Sequence, residues 1–523
     1  LAQPGISAPL DKKRLLFNET HTLNGNRMYK WNEDRSLRMQ AGYTHDVIRQ
    51  QRGNTQIYYQ PTDTIQIDET YHYRLRSDAA NLELRYEDNS NRNYISNRFT
   101  MDGEINHGRS EELRQTLRTS RLSAGNYFNL IRNRENSTWE FRSATQYAYQ
   151  PASLLLEEGK SKFNQHSFYT DNSAAYLRKY NGFTQQYKAG IQGERATMKY
   201  IPPTQPNDFN ASNLSLYFNP YFQLQRGKGL ATLSLPLKAQ RYFSQQRSFL
   251  FFNPSTYLRY KLDYHWTFSL YGSLKCSAGD FSDLYPGLYQ TDYRTWRSGN
   301  GLFPTSTTQT YNLYGEYKNT VQEFFVTASL TYSRSNRNTL FEQSVSENAI
   351  VYTQRELPNH SDSWNLSSTL SKGIYDWHLK TSLTLLLSRS NGEQLTRLTD
   401  SDQQSLLQTY RYDYLKAEPK IIWSPADLFE AEYHATLGYG GSKIGSDTRL
   451  SPLLDFVQRL HLTFSIGQVD LRLSGEHYRN DLGEHTHLNT VFADASLIYK
   501  RKKWRLEASL NNLFNKKEYA YTT

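Results

Sequence analysis

Apolar and polar residues alternate along most of the chain, in segments of about ten residues. Near the C-terminus the even positions are Trp504, Leu506, Ala508 and Leu510, and the odd positions between them are polar. The longest such stripe occupies every second position of residues 377–387. Successive side chains of a β-strand point to opposite faces, so each segment predicts a strand with one apolar side and one polar side.

Two kinds of connection separate the predicted strands. Long polar stretches occupy residues 157–173, 201–212, 278–310 and 390–405, and residues 77–81 separate two alternating segments at 71–76 and 82–87. Short connections contain turn residues or polar pairs; they lie at 32–34, 181–182, 227–229, 263–265, 373–376, 467–468 and 501–503. This asymmetry predicts an antiparallel meander with short turns on one rim, long loops on the other and about 20 to 22 strands.

Composition narrows the class of protein. Only 37% of the 523 residues are hydrophobic and the mean hydropathy is -0.78, whereas soluble domains are typically about 45 to 50% apolar. Disordered chains are poor in aromatic residues, but this chain has 41 Tyr. No apolar run approaches the roughly 18 residues of a membrane helix. A transmembrane β-barrel fits, because its strands are apolar only at alternate positions and tyrosines gather at its water interfaces.

Charge and cysteine content exclude other classes. The net charge is +10, but 61 basic and 51 acidic residues are spread along the chain without the cluster typical of a nucleic-acid-binding face. Cys276 is the single cysteine, so no internal disulfide can form, and we expect it to pack as a small apolar residue. No arrangement typical of a catalytic or nucleotide-binding site occurs. The chain is therefore predicted to be neither an enzyme nor a nucleic-acid-binding protein.

The C-terminal stretch NNLFNKKEY, residues 511–519, resembles the N-N-L-F-[DN]-K-x-Y motif of TonB-dependent outer-membrane transporters. Residues 14–46, together with TIQIDE and NLELRYEDNSNRNYISN, resemble the first barrel strands of the Bacteroidetes branch of that family. The resemblance implies outer-membrane lipid and lipopolysaccharide as surroundings, and a plug domain, the TonB complex and a surface lipoprotein as candidate partners. It also implies a closing strand after this motif. We therefore expect residues 1–523 to form one barrel domain without its plug and final strand.

One long loop carries the candidate binding residues. Tyrosine, tryptophan and arginine provide flat faces for stacking and planar donors for carboxylates or sugar hydroxyls. Within residues 278–310 the candidates are Tyr285, Tyr289, Tyr293, Arg294, Trp296 and Arg297. The alternative is that these side chains pack the loop against the barrel mouth. His485 and His487 lack the further ligands of a metal site, so no metal or cofactor is predicted.

Charged residues on the polar sides of strands are expected to face the lumen of the barrel. These residues are Arg74, Arg76, Glu83, Arg85, Asp470, Arg472 and Glu476. They would hydrogen-bond a plug or water, or they would line the route of a substrate.

The sequence thus predicts the all-β barrel of a TonB-dependent transporter in the outer membrane of a Gram-negative bacterium. Its cargo would be a nutrient such as a glycan, peptide or siderophore. Two alternatives stay open. One is a passive porin or an assembly or secretion barrel, and the other is a secreted β-rich adhesin or glycan-binding protein.

Overall fold

The computed structural model describes most of the chain. It covers residues 17–59, 64–90, 92–110, 114–157, 159–201, 207–279, 281–299, 301, 303–346, 349–397, 405–445, 448–483, 486–502, 504–516 and 519. Short 3-10 turns occur at Phe281–Leu284 and Tyr375–Trp377. In these residues no helix has the length and apolar character needed to cross a membrane.

Nearly all of the described residues belong to 27 strands. The strands are β1 Phe17–Lys30, β2 Arg35–Tyr59, β3 Thr64–Ser90, β4 Asn93–Ser110, β5 Gln115–Arg134, β6 Ser137–Leu156, β7 Gly159–Tyr180, β8 Phe183–Ile201, β9 Asn207–Arg226, β10 Gly229–Ser234, β11 Leu237–Tyr242, β12 Arg247–Phe252, β13 Ser255–Lys261, β14 Trp266–Ala278, β15 Leu288–Gln290, β16 Thr295–Ser298, β17 Thr305–Asn319, β18 Phe324–Val345, β19 Ile350–Ile374, β20 Leu379–Arg397, β21 Ser405–Ala426, β22 Phe429–Ile444, β23 Thr448–Arg449, β24 Leu453–Ile466, β25 Val469–Gly483, β26 Thr486–Arg501 and β27 Trp504–Leu510.

These strands make one antiparallel meander of 22 barrel strands. β10 and β11 both pair with β9, so together they form one barrel strand, which is interrupted at Pro236. β12 pairs with β11 and β13 pairs with β10, so β12 and β13 form the next barrel strand, which is interrupted at Pro254. Proline lacks the N–H that a continuous ladder requires. The short strands β15, β16 and β23 belong to connections between barrel strands. The predicted fold class, a large antiparallel all-β barrel of about 20 to 22 strands, is confirmed.

A band of leucines crosses the outer face of the sheet. Six leucines on six consecutive barrel strands stand opposite one another in register, and each is between 38% and 55% exposed. They are Leu258, Leu270, Leu313, Leu330, Leu366 and Leu387. Soluble monomers rarely expose a contiguous apolar surface of this extent, so the band indicates contact with hydrocarbon.

Polar side chains on the opposite face bond to one another. Asn312, which precedes Leu313 on β17, donates from Nδ2 to the hydroxyls of Ser329 and Thr331, each at 2.7 Å. This face therefore suits a water-containing lumen, while the leucine face suits lipid.

Tryptophans gather at the rim that carries the short turns. Six of the eight tryptophans lie in or within a few residues of such a turn: Trp31, Trp139, Trp266, Trp377, Trp423 and Trp504. Neighbouring aromatic rings extend this girdle, for example Tyr317 with its ring centroid 4.8 Å from that of Trp266. Tryptophan is favoured where a membrane meets water, because its ring is apolar and its N–H is polar. The girdle therefore marks one membrane interface.

The barrel strands extend well beyond the predicted ten residues. β2 and β19 have 25 residues each and β3 has 27. The predicted loop at 157–173 was wrong, because β7 begins at Gly159 and pairs with β6 from there onward. These extensions lie on the long-loop side, where both faces meet water and strict alternation is no longer required.

One continuous strand also corrects the predicted direction of two arginines. Residues 77–81 lie inside β3 and pair with β4 without a register shift, so they do not separate two strands. Arg74 and Arg76 consequently share a face with Leu82 and Leu84, whose partners Met101 and Met39 are exposed on the outside. The two arginines point outward rather than into the lumen.

The remaining five predicted lumen charges lie opposite the apolar face. Asp470 accepts from the Lys500 ammonium at 2.6 Å, and Glu476 accepts from the Tyr478 hydroxyl at 2.7 Å. The exposed Leu471 on the same strand points the other way. Glu83, Arg85 and Arg472 follow the same alternation on β3 and β25.

The N-N-L-F stretch builds a turn at the end of β27. Asn512 has φ of 56°, its Oδ1 accepts from Lys516 N at 3.0 Å, and its Nδ2 donates to Lys516 O at 2.9 Å. Tyr519 packs against Tyr478 and receives a bond from Asn480 Nδ2 at 2.7 Å. This stretch therefore anchors the chain to β25. Residues 517–518 of this stretch, and residues 520–523 after it, lie outside the described residues.

Candidate functional site

The long connection between β14 and β17 has its own structure. After the 3-10 turn at Phe281–Leu284, β15 and β16 form a small antiparallel hairpin. Asp292 closes its turn, because Oδ1 accepts from Arg294 N at 3.0 Å and from Thr295 N at 2.7 Å. At Gly299 a Cβ would lie 2.6 Å or less from the carbonyl oxygens of Asp283 and Tyr285, so the two segments can approach only with glycine here. We call residues 279–304 the mouth loop.

One side of the mouth loop is attached to the adjacent wall. β16 pairs in parallel with the outer end of β19, from Thr295 opposite Ile350 onward. The Arg297 guanidinium lies 4.5 Å from the centroid of the Phe341 ring on β18 and donates to Asp283 Oδ1 at 3.1 Å. The hairpin therefore continues the sheet on this side.

The other side of the mouth loop reaches distant barrel strands. Arg294 Nη1 donates to Glu69 Oε1 of β3 at 3.2 Å, and the Tyr293 hydroxyl donates to the same oxygen. Tyr293 N donates to Gln115 Oε1 of β5 at 3.2 Å. β3 is the third barrel strand, whereas the loop follows the twelfth. The sheet therefore curls so that this loop spans the mouth of the barrel.

An aromatic cluster fixes the beginning of the loop to the wall between these attachments. Tyr285 is 1% exposed and meets Phe209 of β9 edge-on, with ring centroids 5.9 Å apart. Tyr289 meets Tyr285 edge-on at 5.5 Å. Burial raises the pKa of Tyr285 to about 12, so its hydroxyl stays protonated. The buried members of the aromatic cluster are Ala196, Met198, Tyr200, Ala211, Tyr242, Phe281, Leu284 and Tyr285.

Three buried polar atoms on two side chains of the loop make no hydrogen bond among the described residues. Arg294 has a side chain only 6% exposed, yet its Nε and Nη2 make no hydrogen bond within the described part of the chain. The Tyr285 hydroxyl is likewise buried without a partner there. A buried donor without an acceptor costs about 1 to 3 kcal/mol. The arginine therefore retains capacity for a carboxylate or another anionic group.

The structure brings all six predicted loop residues into this one unit. Tyr285 and Tyr289 pack in the aromatic cluster, Tyr293 and Arg294 hold Glu69, Arg297 holds Asp283, and Trp296 lies half-buried in β16. Contact with a ligand stays a prediction for each of them. Sequence reasoning missed Glu69 and Gln115, which bind Tyr293 and Arg294, and Tyr200, which belongs to the same buried cluster as Tyr285. All three lie on remote strands and carry no local signal.

The residues weighed for other chemistry show ordinary surroundings. Cys276 is half-buried, with Sγ 3.8 Å from the Thr307 hydroxyl. His485 lies outside the described residues, and His487 pairs within the ladder of β25 and β26. Among the residues that the structure describes, no three His, Cys, Asp or Glu side chains are grouped as metal ligands would be.

The fold defines this chain as a large β-barrel of the outer-membrane type, and comparisons with known structures agree. It is similar to the siderophore receptor PirA from Pseudomonas aeruginosa, with a TM-score of 0.51, 12% identity and coverage of 96% of this chain and 81% of that one. For a mutant form of the ferric enterobactin receptor PfeA from Pseudomonas aeruginosa, the TM-score is 0.56 and the identity 13%, with coverage of 95% of this chain and 78% of that one. For the outer membrane transporter YddB from Escherichia coli, the TM-score is 0.54 and the identity 8%, with coverage of 94% of this chain and 75% of that one.

These structural neighbours are described as receptors and transporters. At identities this low the similarity concerns the fold alone. No protein-family model and no curated protein sequence matches the chain.

Proposed function

We propose that this chain is the barrel of a TonB-dependent transporter that imports a nutrient across the outer membrane of a Gram-negative bacterium. The observation that carries the proposal is the width of the barrel, 22 strands, combined with a mouth loop anchored across its opening. Barrels of this width enclose a lumen too large to fill with their own side chains, and known 22-stranded examples are plugged transporters.

The two alternatives fit these features less well. Passive porins have narrower barrels of 16 to 18 strands around an aqueous channel. A secreted adhesin would have to cover the leucine band with protein, but Leu313 is 55% exposed and Leu366 is 38% exposed. An outward apolar band with an inward polar face supports the membrane barrel instead.

The partners in this proposal come from the resemblance of residues 511–519. A plug domain would occupy the lumen, the TonB complex would supply energy to it, and a surface lipoprotein would assist uptake if the chain belongs to the Bacteroidetes branch. The cargo would be a glycan, a peptide, a siderophore or a similar nutrient.

We further propose that the six mouth-loop residues contact this cargo. Nε and Nη2 of Arg294, which make no hydrogen bond among the described residues, favour a cargo with a carboxylate or another anionic oxygen group. Trp296 would add a stacking surface.

The function can be tested in the native bacterium with the whole gene. Deletion of the gene should abolish growth on one nutrient class while growth on small sugars continues, and deletion of the TonB genes should give the same defect. Unimpaired uptake without TonB, or a large steady conductance of the whole protein in planar bilayers, would favour the porin. A protein that stays monodisperse without detergent would favour the adhesin.

A further inference from the structure

Two small side chains leave a groove in the outer apolar face. Next to the leucine band, Ala231 of β10 stands in register between Leu258 of β13, which is the first residue of the band, and Leu224 of β9. One row nearer the short turn, Gly229 stands between Arg226 and Tyr260. The resulting cavity of about 400 Å³ continues along the outside past Phe268, Leu270 and Leu313.

Neither the backbone conformation nor the packing at Gly229 requires a glycine. A Cβ built on Gly229 would meet only the Arg226 carbonyl oxygen, at 3.5 Å, which is an ordinary contact. Both neighbours pair with β10 in regular antiparallel register. The groove is therefore a feature of the surface and not a consequence of strain in the strand.

The end of the groove at the short turn is positively charged. Arg226 is the last residue of β9, shares the outward face with Leu224 and is exposed. Among the described residues no carboxylate lies within 4 Å of its guanidinium. Lys228, in the turn that follows, extends along the rim to the Leu262 carbonyl oxygen, with Nζ 2.6 Å away. Two cations thus stand at the polar end of an apolar channel.

The width of the groove limits what can occupy it. It lies over one strand between two others, and neighbouring strands are about 4.8 Å apart, so its flanks are about 10 Å apart before their side chains are counted. A helix with side chains has a diameter of about 10 to 12 Å and does not fit. A single hydrocarbon chain does.

We propose that this groove binds one phospholipid, with an acyl chain over Gly229 and Ala231 and its phosphate between Arg226 and Lys228. The inference rests on the proposed membrane location. The short-turn rim of such barrels faces the periplasm, so the ligand belongs to the inner leaflet, and lipopolysaccharide, which occupies the outer leaflet, is not the ligand.

Native mass spectrometry of the whole protein, released from nanodiscs of phosphatidylethanolamine and phosphatidylglycerol, tests this site. We expect the wild type to retain one phosphatidylglycerol molecule. Ala231→Leu and Gly229→Leu fill the groove, and each should lower the retained fraction at least tenfold. Arg226→Gln should remove the preference for phosphatidylglycerol.

A matched control is Ala41→Leu, which adds the same side chain at an exposed position of β2, on the same face as the exposed Met39 and on a strand remote from the groove. It should retain lipid as the wild type does. The proposal is overturned if the wild type retains no phospholipid, if the control loses as much lipid as the groove variants, or if added lipopolysaccharide displaces the phospholipid. Nutrient uptake is not part of this readout, so failure here leaves the transport proposal standing.

Discussion

The ion pair between Arg294 and Glu69 should decide how often the mouth loop detaches from β3 and opens. The side chains are only 6% and 13% exposed, so replacing Glu69 by glutamine leaves an uncompensated charge in a nearly dry site. Removing one partner of a buried pair typically costs about 3 to 5 kcal/mol. We take about 3 kcal/mol for Glu69→Gln, because the amide oxygen can still accept from the Tyr293 hydroxyl. At about 1.4 kcal/mol per factor of ten, opening should become roughly 100-fold more frequent.

Amide hydrogen exchange of Thr295–Ser298 measures this opening, because the amides of β16 that face β19 lose their protection when these two strands separate, while those that face β15 keep theirs. Asp283→Asn is the control within the same loop. It weakens the bond to Arg297, whose side chain is 39% exposed, and exposed pairs contribute about 0 to 1 kcal/mol. Exchange should rise at most about fivefold in this variant. Equal exchange in the two variants, or no change in Glu69→Gln, would show that the pair does not hold the loop.

Two further variants and one pH dependence test the same region. Tyr285→Ala should destabilise the mouth loop by about 3 to 5 kcal/mol, because it removes a buried ring. Tyr285→Phe removes only a hydroxyl that has no partner among the described residues, so it should be neutral or stabilising. Limited proteolysis of the mouth loop distinguishes the two variants. At the outer end of β18, burial opposes ionisation of Glu342, but the Ser405 hydroxyl and the Arg355 guanidinium outweigh it and lower the pKa of this carboxyl below 4.5. The ionised Glu342 carboxylate therefore stabilises the outer ends of β18 and β19 above about pH 4.5, and this stabilisation is lost as the pH falls through the folded pKa. Amide hydrogen exchange in these outer ends should rise only in that acidic range.

The membrane part of the barrel could be predicted from the sequence because one face must meet hydrocarbon. Strict alternation then marks each strand, as in Trp266, Phe268 and Leu270, and all seven predicted short turns join neighbouring strands of the structure. The outer extensions could not be predicted in this way. Both of their faces meet water, so residues 159–173 of β7 looked like a loop.

The same loss of signal explains the wrong direction of Arg74 and Arg76. The polar stretch at 77–81 looked like a connection, although the ladder between β3 and β4 passes through it. Side chains alternate strictly along a strand, and residues 71–76 and 82–87 belong to one continuous strand. Both arginines therefore lie on the same face as Leu82 and Leu84, which is the outer face.

The candidate loop was found from its composition, but its anchors were not. Tyrosine, tryptophan and arginine are concentrated in residues 278–310, and that concentration is visible locally. Glu69 lies more than 200 positions earlier and meets Arg294 only because the sheet curls. Contacts of this kind depend on how the whole sheet curls and carry no periodic or local pattern.

Paired arginine substitutions on β19 test the central claim, that the leucine band faces lipid, most directly. Leu366 points outward within the band and its neighbour Ser367 points to the lumen, so the two variants differ by one position and by the face they change. An arginine at the bilayer midplane on the lipid face costs about 2 to 4 kcal/mol, whereas one in a wet lumen costs little. Folding into lipid vesicles, followed by denaturant titration, should show that loss for Leu366→Arg and almost none for Ser367→Arg. Equal losses, or a larger loss for Ser367→Arg, would contradict the membrane barrel.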